Sequence, residues 1–238
     1  MRYMVCVVLL CVVLALSGTS AFCLDQQDMK TALSRINAAA ATASGFSVDP
    51  GKTALLIMDY ENDIVGMLAE GVRNPMVERA DVVLKAARYA KIPVIYVTVR
   101  FREGYPEVNP LNKMFSVLKR TGRFVEGTPG AEIDARIAPQ PGDIVVTKRR
   151  VGAFSTTDLE SILRAKNVNN LVLFGISTSG VVLSTVRWAA DMDYSMAVVS
   201  DLCADLDPEV NRVLLEKVFP RQAAVMTSNE LLKAIGQK

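Results

Sequence analysis

At 238 residues, 50% hydrophobic and 22% charged, the chain is long enough to bury a sizeable core in one domain and too apolar to be a disordered segment. Its formal charge of +2, falling to +1 if Arg2 leaves with a leader, is no footprint for nucleic acid or for an anionic membrane surface. Two of the four cysteines, Cys6 and Cys11, lie in the N-terminal apolar run, so no disulfide framework is expected and the fold must stand on its core.

The chain opens with MRYMVCVVLLCVVLALSGTSAFC: one basic residue, an apolar run over residues 5–16, then small residues. That run is well short of the roughly 20 residues that span a bilayer. The layout is that of a secretory signal peptide over 1–21, cleaved after Ala21, with an uncleaved anchor as the alternative. An exported protein is expected, secreted or periplasmic, with no membrane association after cleavage. Residues 22–47 follow as an Ala- and Ser-rich leader, with weak helical spacing at Met29, Leu33 and Ile36, and the folded domain is expected over 48–238.

From Gly51 onward the pattern is regular. Short, unalternating aliphatic and β-branched runs lie at 54–58, 94–99, 144–147, 171–174, 196–200 and 223–226, as strands buried on both faces require. Helical spacing separates them. Residues 77–90 carry Val77, Ala80, Val83, Leu84 and Ala87 on one stripe. Residues 157–166 place Glu160 three after Thr157, a capping-box spacing. Residues 179–192, 208–218 and 229–235 follow, with Pro208 at a favoured first-turn position. Such alternation predicts a three-layer α/β/α domain around a mainly parallel six-stranded sheet. The exception is 100–141, a long excursion with several Pro and Gly and a short helix near 111–119, of the kind that forms lids and substrate loops.

In open parallel sheets, ligands bind beyond the carboxyl ends of the strands. The residues just past the predicted strands are Asp59, Arg100, Lys148, Gly175 to Ser179, and Asp201. A strand-end Asp also caps turns, and Arg or Lys there can simply solvate the rim. Taken together, in register with five strands, these residues mark a site. The stretch LVLFGISTSGVVLSTVRWAA reads as a buried strand running through a small-residue elbow into a helix, whose first N–H groups form a ready anion site. Ser177, Thr178 and Ser179 supply hydroxyls there. Such residues commonly cap helices, and in a chain without histidine only Lys148 is placed to activate one of them.

Three segments, spanning about residues 52–232, resemble the motifs of the isochorismatase-like, or cysteine hydrolase, superfamily. ALLIMDYENDI resembles the first, an apolar strand ending in the catalytic Asp, here Asp59, with Glu61 where a Gln is usual. VVTKRRVGAFSTTDLESILRAKNV resembles the segment carrying the catalytic Lys, here Lys148, followed by Ala153 and Phe154. LVLFGISTSGVVLSTVRWAAD resembles the third, Gly-x-x-Thr-x-x-Cys-Val-x-x-Thr. Gly175, Thr178, Val182 and Thr185 fall in place, and Val181 stands at the position of the nucleophilic Cys.

The resemblance implies a hydrolase with a non-proline cis peptide at Ile176–Ser177, oxyanion-hole donors from Ser177 and Val181, and a homo-oligomeric state. Family nicotinamidases hold a divalent metal through an Asp and two His; without histidine that site cannot be built, and no metal or other cofactor is expected. A valine cannot attack a carbonyl, so the covalent thioester route is closed. Family isochorismatases with Gly at this position cleave a vinyl ether by protonation from the retained Asp. By that likeness Asp59 acts as general acid with no covalent nucleophile. The substrate expected is a small anionic metabolite, held by Arg100, Ser177 and Thr178, with Lys148 available to a carboxylate. The alternatives are a scaffold that binds a small molecule without turning it over, and an amide hydrolase with a substitute Ser or Thr nucleophile. Cys203 reads as a small buried core residue, and Trp188 and Tyr194 as packing or subunit-contact residues. Met114 and Phe115 read as exposed apolar residues that mark a subunit contact.

Overall fold

In the computed structural model the six apolar runs form six strands: β1 (Thr53–Met58), β2 (Val94–Val99), β3 (Ile144–Lys148), β4 (Asn170–Gly175), β5 (Ser195–Val199) and β6 (Ala224–Met226). The structure describes Thr31 and residues 46–236; the signal-peptide and most of the leader readings lie outside the described residues. Residues 41–238 make up one unit. Its sheet order is β3-β2-β1-β4-β5-β6, with every neighbouring pair parallel. Every residue of β1 and β2 is buried, while the edge strands β3 and β6 are only partly so. Central parallel strands are covered on both faces, which is why they lack the alternation of a half-exposed sheet.

Helices flank the sheet as predicted: α1 (Asn62–Val65), α2 (Glu70–Tyr89), α3 (Lys113–Thr121), α4 (Leu159–Ala165), α5 (Leu183–Asp191), α6 (Pro208–Val213) and α7 (Ser228–Gly236). The predicted stripe Val77, Ala80, Val83, Leu84 and Ala87 is the buried face of α2. That helix starts seven residues earlier than its spacing suggested, and its early turns carry Pro75, which costs one intrahelical hydrogen bond. Thr157 and Glu160 do not make the expected capping box. Thr157 Oγ1 accepts from Leu159 N–H and donates to Ala153 O, while Glu160 pairs with Arg164. Phe115 is likewise not exposed: Asn112 caps α3 by accepting from its N–H, and its ring packs edge-on against Phe101. Met114 beside it is half-exposed.

Chain order builds β1, β2 and β3 to one side, then returns to β4 beside β1. The crevice between β1 and β4 is therefore the topological switch point, where ligands bind in open α/β sheets. The two strands close tightly there. A Cβ on Gly175, the last residue of β4, would sit 2.7 Å from Met58 O and 3.2 Å from Val181 Cγ1. We expect Gly175→Ala to destabilise the fold by about 1–3 kcal/mol through overpacking, read as a fall in the denaturation midpoint. An unchanged midpoint would show that the junction has slack.

Candidate active site

Asp59 follows β1 with its N–H donating to Val97 O at 2.8 Å, and then turns the chain at φ 58°. Only a few residue types tolerate that left-handed conformation, Asp among them. Its carboxyl is buried, and Oδ2 accepts from Lys148 Nζ at 2.8 Å. Lys148 ends β3, two strands away from β1, and is 2% exposed; its other bond goes to Arg150 O at 3.2 Å. Burial raises the Asp59 carboxyl from 3.8 to about 6, against the opposing pull of the Lys148 charge and hydrogen bond. Asp59 Oδ1 is buried with no partner.

The elbow follows β4. The Ile176–Ser177 peptide is cis, and the helical chain resumes with a wide first turn, Thr178–Val182, before α5. Ser177 Oγ accepts from Gly180 N–H at 3.0 Å, the capping role open to it from sequence. Ser179 N–H donates to Asp205 Oδ2 at 2.7 Å. An internal carboxylate thus already occupies part of the anion site that the elbow offers. Thr185 Oγ1, on α5, accepts from Ala153 N–H and so ties the segment after Lys148 to the elbow helix.

Asp59, Lys148, Ser177, Ser179, Gly180 and Val181 line one cavity of about 360 Å³. Most of its wall is apolar. Ile64, Met67 and Leu68 come from α1 and the turn after it, Phe115 and Leu118 from α3, Phe124 from the same excursion, and Leu206 from the segment after β5. Met67, Met114 and Leu206 are exposed enough to form its mouth. Lys148 is the one cation among the lining residues and is already paired, while Asp205 adds a second carboxylate.

Several residues read as converging at the strand ends lie elsewhere. Arg100 donates to Ala131 O at 3.0 Å and pairs with Glu132, because the returning excursion runs alongside it. Thr178 is fully buried and donates to Asn211 Oδ1 at 2.5 Å. The Asp201 carboxylate accepts from Ser228 N–H and Oγ at 2.7 and 2.6 Å, holding the start of α7. None of the three lines the cavity. Cys203 is buried and its thiol is pushed up to about 12 by burial, so iodoacetamide should leave it unmodified in the native protein. Peptide mapping checks this, and native-state alkylation at Cys203 would contradict it.

The apolar wall was not read from sequence. The four residues of α1 are too few to show a period, and Asp205 and Leu206 lie in a turn without one. The signal available was Leu206 itself, a large apolar residue between acidic neighbours and largely exposed. Among the described residues no group of three or more His, Cys, Asp or Glu side chains is placed to hold a metal ion.

The isochorismatase domain model matches residues 53–230. An uncharacterized isochorismatase family protein, YwoC of Bacillus subtilis, is 30% identical over 195 residues, covering 79% of this chain and 97% of that protein. The ureidoacrylate amidohydrolase RutB of Agrobacterium fabrum is 28% identical, covering 80% of this chain and 93% of that protein. Among solved structures, N-carbamoylsarcosine amidase from Thermoplasma acidophilum superposes with a TM-score of 0.63 at 28% identity, over 75% of this chain and 97% of that one. A cysteine hydrolase from Pseudomonas syringae pv. phaseolicola superposes with a TM-score of 0.73 at 23% identity, over 80% and 95% of the two chains, and shows the shared fold.

Proposed function

The chain belongs to the isochorismatase family of hydrolases, and from that premise we propose that it hydrolyses a small, uncharged, largely apolar substrate by proton transfer from Asp59, with no covalent enzyme intermediate. One observation carries this reading: a buried Asp59, with its acid form favoured by burial and Oδ1 unpartnered, lines an apolar cavity beside Val181. A carboxyl held at about 6 is a competent proton donor near neutral pH. Val181 offers no nucleophile and Ser177 Oγ is engaged as a helix cap, which supports water as the attacking group.

An enol ether fits these parts. Asp59 delivers its proton to the terminal carbon of the double bond, leaving an oxocarbenium ion. Water adds to that cation and gives up a proton, and the hemiketal then collapses to a carbonyl compound and an alcohol. Lys148 keeps the Asp59 carboxylate oriented after the transfer.

The expectation of an anionic substrate rested on the basic edge of Arg100, Arg102, Lys113, Arg149 and Arg150 and on the elbow N–H groups. Arg100 is committed to Ala131 and Glu132, Arg102 and Arg149 to Glu107, and Ser179 N–H to Asp205, and none of the five basic residues lines the cavity. Most of the cavity wall is apolar and its one lysine is bonded to Asp59, which supports the uncharged class instead. Export remains part of the proposal and rests on the composition of residues 1–21.

The names of the amidohydrolase and amidase relatives favour a second reading, in which the Asp59 carboxylate activates water for attack on an amide or urea. Three probes separate the readings: an uncharged alkyl enol ether, isochorismate as its anionic counterpart, and an N-alkyl urea, with products followed by mass. Our reading expects kcat/KM for the alkyl enol ether to exceed that for isochorismate by about tenfold or more. Preference for isochorismate would contradict the uncharged class, and turnover of the urea alone would establish the second reading.

A further inference from the structure

Glu61, two residues past Asp59, is fully enclosed, a place carboxylates occupy only when paired. It has no such partner. Oε1 accepts from Val99 N–H at 2.5 Å, Oε2 has no hydrogen bond, and among the described residues no cation lies within ion-pair distance. The ionisable groups facing it are few. Asp59 comes from the end of β1, and Lys148 from the end of β3 with its ammonium bonded to Asp59 instead. Beyond the bridge from Glu61 to Ile133 lie Glu132 and Asp134, which are engaged by Arg100 and Arg136.

Asp59, Glu61 and Lys148 thus bring two carboxyls and one ammonium into one buried region, each carboxyl with one oxygen unpartnered. With both carboxyls ionised the cluster carries a net negative charge out of contact with water; one shared proton makes it neutral. We propose that Glu61 is the positioning residue that stores the proton for Asp59, holding it between turnovers and passing it on as the substrate is protonated. The proposal rests on Asp59 being the acid. The one stored proton passes from Glu61 to Asp59 and from Asp59 to the substrate carbon, and the proton released when water adds to the cation returns to Glu61, so no proton is consumed. Burial and the Asp59 charge raise the Glu61 carboxyl well above its usual range, the direction expected of a group that holds the proton between turnovers. A glutamine, usual at this position in the family it resembles, keeps the shape and the acceptor but cannot hold the proton.

The test is Glu61→Gln, which retains the acceptor for Val99 N–H. Infrared spectra of the full chain near neutral pH should show the carbonyl stretch of an un-ionised carboxyl, shifted in D2O, lost in Glu61→Gln and retained in Asp59→Asn. With the enol ether probe, the alkaline limb of kcat should move to lower pH by about one unit or more in Glu61→Gln, with the acidic plateau kept within about threefold. A purely structural Glu61 would not move that limb. Absence of the band in the native protein, its persistence in Glu61→Gln, or an unmoved limb each overturns the proposal. Normal turnover by Asp59→Asn with the band intact overturns the underlying assignment of Asp59 instead, so the two failures are told apart.

Discussion

Asp59→Asn is expected to lower turnover by about 10²–10⁴-fold, the usual worth of a positioned general acid, while leaving the protein folded. The amide keeps the planar shape and an oxygen for Lys148 Nζ, now 2.8 Å from Oδ2, but has no acidic proton. A purely electrostatic role would cost less, and a role confined to packing would cost nothing. The same substitution has a signature in stability. Folding raises the Asp59 carboxyl from 3.8 to about 6, so its contribution is fully present below 3.8 and is lost as pH rises through about 6. Wild type should therefore lose stability relative to Asp59→Asn across that window, as followed by thermal denaturation at pH 4, 5 and 6. A constant difference between the two proteins would mean that Asp59 titrates as it does in the unfolded chain.

The second large effect is expected at Lys148. Lys148→Met keeps most of the buried stem and removes the charge that faces Asp59. Breaking a buried ion pair from one side leaves an uncompensated charge, which costs about 3–5 kcal/mol. Here the remaining group can neutralise itself by taking up a proton, so the penalty depends on pH. Without Lys148 the opposing influence on Asp59 is gone and its carboxyl rises further. The destabilisation should then be largest near pH 8 and shrink near pH 5, where Asp59 is protonated in both proteins. Urea denaturation at the two pH values checks this. An equal loss at both would assign the effect to packing rather than charge.

The sheet was legible because its strands are buried on both faces and announce themselves as unbroken aliphatic runs; the predicted ends of all six lie within two residues of those observed. Position at a strand end was legible for the same reason, and the cavity does collect Asp59, Lys148, Ser177 and Val181. Side-chain direction was not. Arg100 stands one residue past β2, but its guanidinium follows the excursion to Ala131. Asp201 stands past β5, but Ser228, at the start of α7, claims it as a cap. Both depend on where a distant segment returns, which no local period encodes. The apolar cavity wall was hidden in the same way, since Phe124, Leu118 and Leu206 come from turns and short helices. Glu61 was visible as a departure from the glutamine usual in the resembling family, but its complete burial and missing partner required the fold.

Hydrolysis is proposed to run without an enzyme-bound intermediate, with Val181 at the position that the resemblance assigns to the nucleophilic Cys. It is tested most directly by the intact mass of the protein, acid-quenched during steady turnover of the preferred probe. The mass of the unmodified chain is expected at every time point. An added mass matching a substrate fragment, whether on Ser177, Ser179 or any other residue, would contradict it and put a covalent nucleophile back into the site.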